Sequence, residues 1–184
     1  AANMPKENIN RAIKNASEKN TENYKEVVFE GYGPHGIAVI IDCISDNNNR
    51  TVANIRSYFN KCNGNLTTTG SVEFLFTRYS VFRIENNVDQ DNLEFELIDF
   101  GLEEIVVGND NNQLIIYANF DSFGEIQLEL EKRDVTIISS GFERIPNNYK
   151  DLNEDQKRDI NKLLEMCESD DDVQNVYHNS GNSW

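Results

Sequence analysis

Apolar residues recur along this chain in two alternating ways. Some lie three or four positions apart, the spacing of a helix with one buried stripe. Others lie in short β-branched runs or at every second position, the habit of strands. Ile9, Ala12, Ile13 and Ala16 form the first helical stripe, after Pro5, whose missing N–H is no loss in a first turn. This helix has nothing before it to pack on, so it reads as the last element of a helical domain most of which the sequence does not contain. Asn20 to Asn23 is a polar break.

Val27 to Phe29 reads as a strand, GYGPHG (Gly31 to Gly36) as a loop, and Ile37 to Ile41 as a second strand. The glycines satisfy GxGxxG, but a dinucleotide site needs a helix after them. A β-branched run follows instead. The loop therefore connects two strands, with glycine supplying positive φ and Pro34 stiffening the turn. Between Asp46 and Asn65 the pattern predicts a helix capped by Asn49, with Val52, Ile55 and Phe59 inward and Gly64 closing it. Ser71 to Phe76 alternates toward another strand.

Next come a strand at Val81–Ile84, a helix over Asp91–Phe100 ended by Gly101, and strands at Glu104–Val107 and Gln113–Ala118. A helix opened by a Ser122/Glu125 capping box follows, with Phe123, Ile126 and Leu130 inward, and then a strand at Val135–Ile138. This β-α-β-β-α-β order is the ferredoxin-like unit. The tail resumes with a helix capped by Asn153 and Gln156, carrying Ile160, Leu163, Leu164 and Cys167, and a strand at Val173–Tyr177. The two outer segments complete each other. The expected fold class is α+β: the remnant of an N-terminal helical domain (1–21), then two ferredoxin-like α/β sandwiches, a discontinuous one (22–77 plus 149–184) interrupted by an inserted one (78–148).

Composition changes this picture little. The 184 residues are 38% hydrophobic, enough for real cores and too much for disorder throughout. No apolar run reaches the ~18 residues of a membrane span, and no signal peptide is evident, so no membrane partner is expected. Cys43, Cys62 and Cys167 are far apart and form no CxxC pair, which argues against a disulfide framework or zinc site and for a reducing, cytoplasmic setting. The chain opens on Ala1, which suits a natural product that begins earlier.

Charge is more informative. The formal net charge is −15, yet the stretch ending at Arg83 holds ten basic and eight acidic residues, against seven and twenty-four from Ile84 onward. An acidic surface repels polyphosphate. Contact with nucleic acid is therefore expected through the first half. The candidates are Lys6, Arg11 and Lys14 on the first helix and Arg50, Arg56 and Lys61 on the second. Such cations would touch phosphates and position the protein without reading sequence. Loops at Tyr32, Gly33 and Pro34 and at Thr69 and Gly70 are further contact candidates, and the acidic half suits a basic protein partner. No HExxH, GxSxG or GxxxxGK[ST] motif occurs, and Asp170-Asp171-Asp172 lacks the spacing of a calcium loop. No catalytic residue, cofactor or metal is expected.

Six co-linear motifs carry a resemblance: NMPKENINRAI (Asn3 to Ile13), EGYGPHGIAVIID (Glu30 to Asp42), DNNNRTVANIR (Asp46 to Arg56), GNL (Gly64 to Leu66), TGSV (Thr69 to Val72) and DDVQNVYHN (Asp171 to Asn179). In these the chain resembles the YebC/PmpR family, bacterial proteins with a mitochondrial translational-activator relative. The resemblance implies an N-terminal helical domain followed by two α/β domains, one inserted in the other. It also implies a non-enzymatic regulator of gene expression: a DNA-binding transcriptional regulator, or alternatively a ribosome-associated translation factor contacting rRNA. Full-length members open with a basic segment resembling GHSKWANIKHRK that this sequence lacks, and they more usually carry glycine where His35 stands. An amino-acid-sensing module is a third reading, because ferredoxin-like units can bind small ligands between paired sheets.

Overall fold

The computed structural model describes residues 23–181, so the expected first helix, with Lys6, Arg11 and Lys14, lies outside the described residues. The elements begin with β1 (Lys25–Tyr32), β2 (Ala38–Ser45), α1 (Asn48–Lys61), β3 (Asn65–Thr67) and β4 (Phe76–Glu85). They continue with α2 (Gln90–Leu97), β5 (Leu102–Val107), β6 (Gln113–Asn119), α3 (Phe123–Lys132) and β7 (Ile137–Pro146). The last are β8 (Lys150–Asp151), α4 (Glu154–Glu168), β9 (Val173–His178) and β10 (Ser180–Gly181). The chain divides into two compact units. Thr77–Ile145 forms one, and the described residues on either side of it form the other.

The flanking unit holds an antiparallel sheet in the order β3-β1-β2-β9. One of its two inner strands, β2, with Ile37 just before it, shows why the run Ile37 to Ile41 is apolar without a break: all five residues are fully buried. Ile37, Val39, Ile41 and Cys43 meet Ile55 and Phe59 of α1 and Ile160, Leu163 and Cys167 of α4. Ala38 and Ile40 face the other way and pack with Val72 and Phe76. A strand covered on both faces shows no alternation.

Several local details depart from the sequence reading. Asn47, not Asn49, caps α1, its side chain accepting from the Arg50 amide at 3.1 Å. The left-handed residue after α1 is Asn63, at φ +58°. Gly64 is needed for close approach instead, since a Cβ there would lie 2.6 Å from the Tyr32 carbonyl oxygen. The stretch before Phe76 is not a strand. The third strand is Asn65–Thr67, and Glu73–Leu75 makes a 3-10 turn over the sheet. The capping box of Asn153 and Gln156 forms as expected, with Ile160, Leu163, Leu164 and Cys167 buried.

The second unit is a sheet in the order β5-β6-β4-β7. Its core unites Leu93 and Leu97 of α2, Ile126 and Leu130 of α3 and the inner faces of the strands, including Phe82, Ile84, Leu114 and Ile116. Gly101, at φ +105°, ends the turn after α2. Ser122 makes no side-chain cap, because it lies against Gly101, where an added Cβ would come within 2.1 Å of its hydroxyl. The last strand starts at Ile137, later than Val135, and runs on to Pro146. The two sheets share one plan, in which a helix crosses from one strand to another over the strand between them. In the flanking unit the strand crossed over, β1, comes first in the chain.

Candidate nucleic-acid interface

Three of the sequence candidates lie on α1, and the structure separates them. Arg50 donates to Asp46 at 2.9 Å and to Asp172 at 3.0 Å, and Thr51 donates to the same Asp172 oxygen at 2.9 Å. The bond to Asp172 is the main reason the Arg50 pKa is raised. This cation therefore ties the start of β9 to the start of α1. Arg56 and Lys61 are exposed and make no ion pair among the described residues. At 100° per residue, the five steps between them place them about 140° apart around the axis, so they do not form one stripe. Lys61 instead has company from α4. It and Lys162 both act to lower the Cys62 thiol pKa, although burial outweighs them and raises it. Lys162 was hidden in the sequence by the acidic residues of its own helix, Glu154, Asp155, Asp159 and Glu165.

The glycine loop is largely interior. Tyr32 packs against the cluster of Ala38 and Ile40, and Gly33 and Pro34 are buried. A Cβ on Gly33 would lie 2.8 Å from Ile160 and 2.9 Å from Leu163, so that glycine lets α4 approach. The loop exposes His35, at φ +63°, and Gly36 after it. The His35 Nε2 lies 2.7 Å from Asp159 of α4, and the His35 carbonyl accepts from Lys150 at 2.6 Å.

The loop holding Thr69 and Gly70 is different. Both residues are exposed, and open space surrounds Gly70, at φ +90°. Its footing is firm, because Glu30, only 3% exposed, turns its carboxylate into the base of the loop. The carboxylate accepts from the amides of Gly70 at 2.5 Å, Val72 at 2.9 Å and Glu73 at 2.8 Å. Ser71 binds the Thr68 carbonyl through both its amide and its hydroxyl. The result is a rigid tip of hydroxyl-bearing residues, Thr68, Thr69 and Ser71. Nothing in the local sequence marks Glu30 as its anchor.

Charge does not divide as chain position suggested. The acidic tail folds into the same unit as α1, whose described residues hold eight Lys and Arg and fourteen Asp and Glu. The second unit holds five and fifteen. Burial raises the Cys43 and Cys167 thiols far above their ordinary range, which suits packing and not nucleophilic attack. Among the described residues no three His, Cys, Asp or Glu side chains gather to hold a metal ion, and no helix is long and apolar enough to cross a membrane.

These features define a protein of two α/β sandwiches of the ferredoxin-like kind, one of which carries exposed cations and an anchored loop. The family described as TACO1/YebC second and third domain matches residues 24–180, and the chain belongs to it. It is 62% identical over 179 residues to a probable transcriptional regulatory protein of Flavobacterium johnsoniae, covering 97% of this chain and 75% of the relative. A protein of the same description from Myxococcus xanthus is 44% identical over 183 residues, covering 97% and 76%. The crystal structure of a conserved hypothetical protein from Aquifex aeolicus is similar with a TM-score of 0.75 and 36% identity, over 98% of this chain and 74% of the other.

Proposed function

We propose that this chain is a non-enzymatic, cytoplasmic regulator of gene expression that binds DNA. The observation that carries this reading is its 62% identity, over nearly its whole length, to a protein described as a probable transcriptional regulator. Arg56, Lys61 and Lys162 are exposed and supply phosphate contacts; the Thr68–Ser71 tip adds hydroxyl donors of the kind that also bind phosphate oxygens. These contacts hold the protein on the duplex without reading bases, so sequence preference would have to arise elsewhere or from duplex shape.

A second reading is a translation factor on the ribosome. The charge of the second unit favours it, because a surface with three times as many acids as cations suits basic protein and not a bare duplex. One pair of measurements separates the two. Fluorescence anisotropy with a 30-base-pair duplex across 50–300 mM salt is run beside co-sedimentation with ribosomes. DNA binding that weakens log-linearly with salt supports the first reading. Absence of duplex binding at the lowest salt, together with salt-resistant co-sedimentation, overturns it in favour of the second.

A further inference from the structure

We propose that the solvent face of α2 is a docking surface for a basic, amphipathic segment of another protein. Leu93 and Leu97 point into the core of the second unit. The opposite face carries Asp91, Glu94, Phe95 and Ile98, at positions i, i+3, i+4 and i+7 of one helical stripe that runs on past the end of α2. Phe95 is 80% exposed and Ile98 59% exposed. The exposed aromatics elsewhere on this unit have cover of their own. Phe120 and Phe142 lie 4.9 Å apart, and the Arg78 guanidinium sits 4.3 Å from the Phe120 ring. Phe95 makes no ring or cation contact among the described residues. Its apolar surface is held in water next to another apolar side chain, which is the composition of an interface anchor.

Charge selects the occupant. From Ile84 to Glu131 the chain has thirteen Asp and Glu and not one Lys, Arg or His. The next cations along the chain, Lys132 and Arg133, are already engaged. Lys132 is 3.3 Å from Glu129, and Arg133 pairs with Glu129 and lies 2.6 Å from Glu96 of α2. The stripe is thus two apolar anchors flanked by Asp91, Glu94 and Asp99, none of which forms an ion pair among the described residues. Nucleic acid and anionic lipid are repelled by such a surface. A second copy of this chain would bring the same sign of charge to it. A Lys- or Arg-rich segment with apolar residues on one side complements both the charge and the anchors. This inference does not depend on which nucleic acid the other unit meets.

The test uses two labelled 14-residue helical peptides of equal charge, one of Lys and Leu with Leu at helical spacing, the other with Ser in place of Leu. Anisotropy at 50 and 200 mM salt is read against the protein and its variants. The Lys/Leu peptide is expected to bind at least about tenfold more tightly than the Lys/Ser peptide. The double variant Phe95→Ser with Ile98→Ser should erase that difference, while Phe74→Ser, at a site 69% exposed on the other unit, leaves it within about twofold. Asp91→Asn with Glu94→Gln should flatten the salt dependence. All these positions are exposed, and circular dichroism checks that each variant folds. Equal affinity for the two peptides, or a Lys/Leu affinity untouched by the Phe95 and Ile98 changes, overturns the proposal. So does a concentration-dependent dimer in sedimentation that the same double variant abolishes, since the occupant is then a second copy.

Discussion

The Oε1 atom of Glu30 lies 2.9 Å from the amide nitrogen of Val72, a residue 42 positions further along the chain. A carboxylate taken out of water needs donors, and here three amides of one backbone stretch, those of Gly70, Val72 and Glu73, provide them. The same contact explains why Ser71 to Leu75 leaves the sheet and lies across it.

Glu30→Ala is therefore expected to cost about 3 kcal/mol, because three amides lose one charged acceptor in a buried place. Glu30→Gln keeps an acceptor and should cost roughly half as much. Urea unfolding gives the difference, and hydrogen exchange at Gly70, Val72 and Glu73 shows whether the loop is released locally. Unchanged exchange at those amides in the alanine variant would contradict the role assigned to Glu30.

Arg50 and Arg56 share a helix and should behave oppositely. Arg50→Ala breaks the link to Asp172 and should lower stability by about 1 kcal/mol, with little effect on polyanion binding. Arg56→Ala and Lys61→Ala should leave stability within about 0.5 kcal/mol. Each should reduce the salt slope of duplex binding by about one. The pair of measurements is thermal unfolding and anisotropy titration at several salt concentrations.

His178 carries a pH dependence. Burial pushes its pKa down to about 4, and its Nδ1 accepts from the Ser180 amide at 3.3 Å, a bond only the neutral tautomer can accept. Between pH 6.5 and about 4 the unfolded chain binds a proton that the folded one refuses, so stability falls as the pH falls through this window. The loss from this group should approach about 3 kcal/mol at the acid end. In His178→Gln, unfolding free energies measured at pH 7 and pH 4.5 should differ by less than in the parent. An equal difference in both would remove His178 as the cause.

The cysteines should be silent. Burial raises the thiols of Cys43 and Cys167 so far that almost no thiolate exists at pH 8. A disulfide-exchange reagent should leave both unmodified in the native protein and modify them only as denaturant unfolds the flanking unit. Fast labelling of either one in the absence of denaturant would show that this core opens.

Much of the secondary structure follows from short-range rules. The capping box at Asn153 and the stripe Ile160, Leu163, Leu164 and Cys167 lie within one helix, so their spacing alone announces α4. The order of strands and helices from Val81 on is equally local, because each element there has its own apolar period and turn residues. Where the local pattern and the structure differ, the deciding partner is distant. Ser71 to Phe76 alternates like a strand, yet the acceptor for its amides is Glu30. Gly33 looks like a flexible loop residue, yet what it faces is α4, whose Ile160 leaves no room for a Cβ.

The candidate site divides along the same line. That Arg50, Arg56 and Lys61 sit on a helix is settled by the period of Ile55 and Phe59. That Arg50 is held in an ion pair is decided by Asp172, 122 residues away, since the Coulomb interaction acts through space and takes no account of chain order. Periodicity and capping chemistry act over a turn or two of backbone and can be read from neighbours alone. Strand order, the filling of a buried carboxylate's hydrogen bonds and the pairing of surface charges depend on segments that meet only when the chain closes on itself.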